Sequence, residues 1–159
     1  MVGRWRVYSV IGNNVESDGF QSEPLKENTF DQVAALVRKT LALPELQPIE
    51  PQQLFFYDLG FTSMDLLDLL FRIEQHFKIS IPEGTIYHLA RGEMSEAEFA
   101  TDGLLSEAGR QRLMALLYDT PPEVFPARIH ATTLPRYCTV GAFVRLVDHK
   151  LATRGPGGG

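Results

Sequence analysis

Apolar residues recur at three- and four-residue spacings in separate stretches of this chain, and that spacing predicts helices. The first stretch starts at Thr29-Phe-Asp-Gln32, which has the form of a capping box, and stops before Pro44. The longest stretch runs from Ser63 to Phe77, and a later one runs from Val140 to Leu151. The chain is therefore predicted to be all-α.

The Ser63–Phe77 stretch is amphipathic when its residues are placed at roughly 100° intervals around a helix. The residues that face the predicted core are Leu66, Leu69, Leu70, Ile73 and Phe77. The polar side carries Asp65, Asp68, Arg72 and Gln75. Between the two sides lies an apolar flank of Met64, Leu67 and Phe71, bordered by Asp65, Asp68 and Glu74. This flank predicts a contact surface for a basic partner.

Ser63 is predicted to lie at the N-terminus of this helix. Gly60 lets the backbone bend there, and Thr62 and Ser63 are both candidate cap residues. A phosphate on Ser63 would be stabilised by the free N–H groups and the positive end of the helix dipole. The simpler alternative is that Ser63 serves only as a helix cap.

The segment Asp58-Leu-Gly-Phe-Thr-Ser63-Met-Asp65 resembles the Asp-Leu-Gly-x-Asp-Ser-Leu-Asp signature of acyl carrier proteins. The resemblance continues through Pro82 and resumes at Thr139–Val147, the start of the family's last helix. It implies a four-helix bundle that is not an enzyme. It also implies that a phosphopantetheinyl transferase loads Ser63 with 4′-phosphopantetheine from coenzyme A.

The resemblance also implies which residues bind partners. Asp58 matches an acidic residue that helps the transferase, and the family's partner-recognition positions fall on Met64, Asp65, Leu67, Asp68, Phe71 and Glu74. The implied partners are an acyl ligase or synthase and acyltransferases of a specialised lipid or polyketide-like pathway. Thr62 replaces the usual Asp before the serine, which favours dedicated partners. An aminoacyl or peptidyl cargo and an unloaded docking module stay open as alternatives.

About 56 residues, 83–138, separate the two matching blocks where ordinary carriers have about ten, so the sequence predicts a helical insertion. Within it we predict a short helix over Thr85–Arg91, a second capping box at Ser95–Glu98, a turn at Thr101-Asp-Gly and a helix capped by Ser106. The last of these places Arg110 and Arg112 on its outer side, and the chain beyond Pro122 is predicted to be extended. The insertion covers the aromatic residues Phe55–Tyr57, or it widens or lids the acyl site or docks a particular enzyme, and these roles are compatible with one another.

Composition narrows the function further. The 159 residues are 44% hydrophobic and carry a net charge of −5, so we expect neither nucleic-acid binding nor membrane insertion. With one cysteine, Cys138, and no histidine pair at ligand spacing, no disulfide or metal site is expected. A serine hydrolase with Ser63 as nucleophile lacks the Gly-x-Ser-x-Gly motif. We expect a cytoplasmic monomer with a flexible leader (1–27), a carrier domain (28–153) and a disordered tail (154–159).

Overall fold

The computed structural model describes residues 28–154. The predicted flexible leader lies outside these residues, as does the predicted tail apart from Arg154, the last residue of a helix. The α-helices of the described part are α1 (Thr29–Leu41), α2 (Ser63–Phe77), α3 (Thr85–Arg91), α4 (Glu96–Phe99), α5 (Glu107–Leu116) and α6 (Val140–Arg154). Two strands, β1 (Ala100–Thr101) and β2 (Leu104–Leu105), form a small antiparallel hairpin. The fold is therefore mostly helical, as predicted, with a hairpin that the helical pattern did not reveal.

Helix α1 begins one residue earlier than the sequence indicated. Asn28 is the N-cap, and its side chain accepts a hydrogen bond from the Asp31 amide at 2.7 Å. The predicted capping box starting at Thr29 is therefore wrong. The Thr29 hydroxyl instead donates to the Asp148 carboxylate on α6 at 2.6 Å, which joins the first and last helices.

Helix α1 packs against both α2 and α6, and the core lies between them. The core side chains of α2 follow the predicted stripe, because Leu69 and Ile73 are fully buried and Phe77 nearly so. Leu66 and Leu70 are partly buried against the same cluster. The core periodicity of α2 is therefore confirmed.

The insertion contains the local elements that its sequence predicted. Helix α3 ends at Gly92, Ser95 and Glu98 form a capping box at α4, and Ser106 caps α5 by accepting from the Gly109 amide. The predicted turn at Thr101-Asp-Gly is the hairpin between β1 and β2, where Asp102 and Gly103 both have positive φ.

Two details of the insertion differ from the prediction. The segment after Pro121 is not simply extended, because it contains 3-10 helices at Pro122–Val124 and Ala131–Tyr137. The arginines of α5 do not only face solvent: Arg110 donates to the carbonyls of Phe125 and Pro126, and Arg112 donates to that of Ala90. Both arginines therefore bind neighbouring backbone and hold the loops of the insertion together.

The insertion has aromatic contacts of its own, and it also touches Phe55, whose amide donates to the Cys138 carbonyl at 3.3 Å. Phe99 packs edge-on against Tyr87, with ring centroids 5.0 Å apart. Phe55 packs against Phe61, in the loop before α2, and against Phe143 of α6, and Tyr57 is 59% exposed. The idea that the insertion covers the whole aromatic group is therefore wrong for Tyr57.

A polar cluster joins the insertion to the start of α6. Arg145 binds Asp119 through both guanidinium NH groups, at 3.1 and 3.3 Å, and its guanidinium carbon lies 4.2 Å from the centre of the Tyr118 ring. The buried Thr139 hydroxyl donates to Asp119 at 2.8 Å and accepts from the Ala142 amide. Burial alone would raise the pKa of Asp119, but the hydrogen bonds from Arg145 and Thr139 outweigh burial, and the pKa falls below its ordinary value of 3.8.

This cluster predicts a loss of stability in acid. Because the pKa of Asp119 is lower in the folded state, its contribution is complete above pH 3.8 and is lost as the pH falls through the folded-state pKa. We expect Asp119→Asn to be less stable than wild type at neutral pH and to show a weaker dependence of Tm on pH in the acid range. Thermal unfolding between neutral pH and about pH 2 measures this. Parallel Tm curves for the two proteins would contradict it.

Candidate attachment site at the start of α2

Ser63 is the first residue of α2, and its side chain is exposed. The N-cap is Thr62, so the alternative in which Ser63 itself caps the helix is not what the structure shows. Within residues 28–154 the Ser63 hydroxyl has no hydrogen-bond partner. The hydroxyl is therefore open to a reagent or an enzyme that approaches from solvent.

The turn that presents Ser63 is fixed by a capping box between Thr62 and Asp65. The Asp65 carboxylate accepts from the Thr62 amide at 2.9 Å, and the Asp65 amide donates to the Thr62 hydroxyl at 3.2 Å. Before this turn Gly60 has φ of +74°, a conformation that glycine adopts without strain. Capping box and glycine together hold the start of α2 in one geometry.

The first amides of α2 are positioned to bind an anion. Because a helix cannot satisfy its own first N–H groups, these need acceptors from outside. Asp65 and Leu66 find theirs on Thr62. In the described part of the chain no acceptor lies on the amides of Ser63 and Met64. A phosphate attached to Ser63 would lie beside these two donors, at the positive end of the helix dipole.

Asp58, which the resemblance assigns to the transferase, also has a structural contact. One of its carboxylate oxygens accepts from the Leu54 amide at 2.7 Å, and its own amide donates to the Leu54 carbonyl at 2.9 Å. These bonds close the turn that precedes Ser63. Asp58 is nevertheless exposed, so it can be reached by a partner.

Each predicted acidic residue of α2 has a partner within the molecule. Asp65 is part of the capping box, Asp68 forms an ion pair with Arg72 at 3.3 Å, and Glu74 accepts from the Ile81 amide at 2.7 Å. Glu74 thereby holds the loop between α2 and α3. The three carboxylates are therefore not equivalent members of a solvated stripe.

The apolar flank of α2 is more exposed than its acidic border. Met64 is 72% exposed, Leu67 49% and Phe71 61%. These side chains lie one turn apart along the helix, starting next to Ser63. They form a continuous apolar strip beside Ser63.

The capping box predicts different effects for two neighbouring aspartates. We expect Asp65→Lys to lower the free energy of unfolding by about 0.5–2 kcal/mol, because it removes the cap and places a cation at a helix N-terminus. Asp68→Lys is the matched control, and since it breaks only an exposed ion pair, its effect should stay within about 0.5 kcal/mol. Urea unfolding of both variants measures the difference. Equal losses would show that the capping box contributes little.

A cavity of about 740 Å³ with a mostly apolar lining, called here the Ser63 cavity, opens beside Ser63. This volume lies within the range of small-molecule sites, about 300–1,000 Å³. It is enclosed by α2, α3, α6 and the 3-10 helix Ala131–Tyr137, and its lining includes Phe55, Ser63, Leu66, Leu70, Ile86, Leu134 and Phe143. Ser63 and a large apolar space therefore share one surface.

The Ala131–Tyr137 wall is the part of the site that the sequence did not identify. Leu134 is nearly fully buried and lines the cavity with Thr132, Thr133 and Arg136. These residues follow a proline-rich stretch with no helical period, so the pattern alone could not place them. The one local signal in the sequence is Leu134-Pro135, an apolar residue and a proline shortly before α6, which indicates a packed turn at this point.

Other chemistry has little support at this site. Within residues 28–154 no group of three or more His, Cys, Asp and Glu side chains could hold a metal ion. Cys138 is buried, and burial together with the nearby charge of Asp119 raises the pKa of its thiol to about 12. This thiol is therefore a poor nucleophile at neutral pH. None of the helices in the same residues has the length and apolar character of a membrane span.

Comparison with known proteins defines the class of site. Residues 31–91 match the model for phosphopantetheine attachment sites, a range that includes Ser63 and all the residues predicted around it. The chain is also similar to curated acyl carrier proteins. It is 35% identical over 72 residues to acyl carrier protein AcpXL of Rhizobium meliloti, an alignment that covers 45% of this chain and 75% of that protein.

Two further relatives extend this similarity. AcpXL of Brucella melitensis is 38% identical over 55 residues, covering 35% of this chain and 58% of that protein. The chloroplastic acyl carrier protein 1 of Hordeum vulgare is 31% identical over 65 residues, covering 41% and 43%.

The chain belongs to the acyl carrier protein family. It therefore has a phosphopantetheine attachment domain and acts as a carrier rather than as a catalyst. The predictions of family, cofactor and non-enzymatic role are confirmed. Membership also implies a phosphopantetheinyl transferase and acyl-handling enzymes as partners.

Proposed function

We propose that this protein bears 4′-phosphopantetheine on Ser63 and carries acyl thioesters between enzymes of a specialised lipid or polyketide-like pathway. The observation that carries the proposal is the position of Ser63, an exposed and unpartnered hydroxyl at the start of α2 and on the edge of a large apolar cavity. When bound, the arm supplies the thiol that holds the cargo. The protein supplies the attachment position, the anion-binding amides and the apolar space.

The attachment reaction is a transfer of a phosphoryl-linked arm from coenzyme A. The Ser63 oxygen forms the new bond to phosphorus, its proton leaves, and the bond to the adenosine bisphosphate group breaks. Since the Ser63 hydroxyl has no hydrogen-bond partner within residues 28–154, the base that takes its proton would come from the transferase. The backbone amides of Ser63 and Met64 would then lie beside the phosphodiester and donate to its negatively charged oxygens.

The apolar strip is our proposed partner surface. Met64, Leu67 and Phe71 lie next to the arm and have exposed side chains that a partner could bury. Asp58, Asp65, Asp68 and Glu74 would guide a basic partner, but Asp68 is paired with Arg72, and the other three each use a carboxylate oxygen on a backbone amide. We therefore propose that apolar contact contributes more to affinity here than the charges do.

The nature of the cargo follows from the lining of the Ser63 cavity. Most of its lining residues are aliphatic or aromatic, as Leu66, Leu70 and Phe143 illustrate, and Glu83, Glu96 and Arg136 add charged side chains. The apolar part of the lining would stabilise a hydrocarbon chain, which most aminoacyl groups lack. We therefore propose an acyl cargo over an aminoacyl or peptidyl one.

We also propose that the protein is a cytoplasmic monomer. This proposal is based on the composition of the sequence.

Incubation of the protein with coenzyme A and a broad-specificity phosphopantetheinyl transferase tests the proposal. We expect intact mass to rise by one phosphopantetheine group, and fragmentation to place that group on Ser63. A thiol reagent at neutral pH should then label the arm but not the buried Cys138. An unmodified protein, under conditions that load a control carrier, would favour the unloaded docking module.

A further inference from the structure

A second apolar cavity, called here the distal cavity, lies next to the Ser63 cavity and is partly open to solvent at Leu89 and His149. It has a volume of about 210 Å³ and lies between α3, α5 and α6. Leu89, Leu116, Leu117 and Ala142 line it, and Arg145 and His149 supply its polar edge. Since an apolar cavity of about 150 Å³ is large enough to bind a benzene ring, this space can hold several carbon atoms.

The two cavities are neighbours. Three side chains, Ile86, Cys138 and Leu146, line both of them and so form the partition between them. All three are apolar or weakly polar, and Ile86 is only partly buried. Since Ile86 and Leu146 are aliphatic, a change of rotamer at either can widen the passage between the two spaces without breaking a hydrogen bond.

The insertion builds one wall of the distal cavity. Leu116 and Leu117 belong to the end of α5, and Leu117 is nearly fully buried. Cys138 is the last residue of the predicted insertion. The distal cavity therefore depends on the part of the chain that distinguishes this protein from an ordinary carrier bundle.

We propose that the distal cavity receives the far end of a long acyl chain whose nearer part lies in the Ser63 cavity. This proposal rests on the proposed function, because the chain must be attached through Ser63 to enter from that side. An alkyl chain suits the space, since the lining offers few polar partners to water. Each methylene withdrawn from water favours the inserted chain by about fourfold, so a chain long enough to pass the partition should enter the distal cavity.

Methyl NMR of the acyl-loaded protein tests where the chain ends. The transferase would load protein labelled at Ile and Leu methyl groups from hexanoyl- or octadecanoyl-coenzyme A, and intact mass would confirm one arm per chain. Hexanoyl cargo should shift methyl resonances of the Ser63 cavity, such as those of Leu66 and Leu70, but not those of Leu116 and Leu117. Octadecanoyl cargo should also shift those of Leu116 and Leu117. If octadecanoyl cargo leaves Leu116 and Leu117 unchanged, or perturbs neither cavity, the proposal is overturned.

A filled cavity gives a second, independent measurement. Leu116→Trp should narrow the distal cavity, while Ala115→Trp, at the neighbouring exposed position, is the matched control. In wild type and control we expect Tm to keep rising as the cargo lengthens from hexanoyl to octadecanoyl. In Leu116→Trp this rise should stop at a shorter chain.

A third variant covers the case in which Leu116→Trp does not fold. Ala142→Leu narrows the same cavity from α6. Equal rises of Tm in wild type and in the folded narrowing variants would overturn the proposal. If Ser63 accepts no arm, the intact mass stays unchanged, and this result would overturn the proposed function and this inference together. If loading is normal but the narrowing variants show the same dependence of Tm on cargo length as wild type, only this inference is overturned.

Discussion

Ser63→Ala is expected to abolish attachment of the phosphopantetheine arm completely while leaving the fold intact. The side chain of Ser63 is exposed and has no hydrogen-bond partner in residues 28–154, so its removal breaks no hydrogen bond there. The capping box is made by Thr62 and Asp65, which the variant retains. The free energy of unfolding should therefore change by less than about 0.5 kcal/mol.

Intact mass after incubation with coenzyme A and transferase measures the loss, and urea unfolding measures stability. Ser80→Ala is a suitable control because Ser80 is also exposed but lies after the helix. It should be loaded like wild type. Loading of Ser63→Ala would assign the arm to another residue, and a large loss of stability would show that Ser63 has a structural role as well.

Leu113→Ala should have the largest effect on stability among the substitutions considered. Leu113 lies in the middle of α5, is fully buried and belongs to the same core cluster as the carrier helices. Truncation of a buried leucine removes apolar contacts and leaves a cavity, which costs about 2–5 kcal/mol. A loss of this size in the insertion would show that the insertion and the bundle are stabilised together.

The expected result is a single unfolding transition at lower urea concentration, followed by both circular dichroism and tyrosine fluorescence. Gln111→Ala on the exposed side of α5 is the control and should change stability little, because it removes only a surface contact with Glu107. Two separate transitions in Leu113→Ala would mean that the insertion unfolds as an independent unit. Below its unfolding transition, Leu113→Ala should still be loaded at Ser63.

The sequence predicted those elements whose signals are local. Helical spacing located α2 and α6, and the capping residues Ser95 and Ser106 located α4 and α5, because each cap depends on bonds to amides two or three residues away. The predicted start of α1 differs by one residue, since Asn28 and Thr29 are both good cap residues; in the structure Asn28 caps the helix and the Thr29 hydroxyl binds Asp148.

The site shows the same division between local and distant contacts. The position of Ser63 on a helix N-terminus followed from its neighbours. The helical wheel, however, treats Asp65 and Asp68 alike, although one closes a cap and the other forms an ion pair. It also could not reveal that Glu74 binds the Ile81 amide, or that Ala131–Tyr137 lies across the cavity, because these contacts join segments that no periodicity connects.

The contact between Thr29 and Asp148 has a kinetic consequence, because these residues are 119 positions apart. Closing the bundle requires α1 to meet α6 across most of the described chain, and such distant contacts slow folding. The insertion contributes local contacts, such as those of the hairpin and of α3 with α5. If these form early, they shorten the effective loop, and each halving of loop length lowers the closure cost by about 0.6 kcal/mol. The order of events would then be insertion first and bundle last.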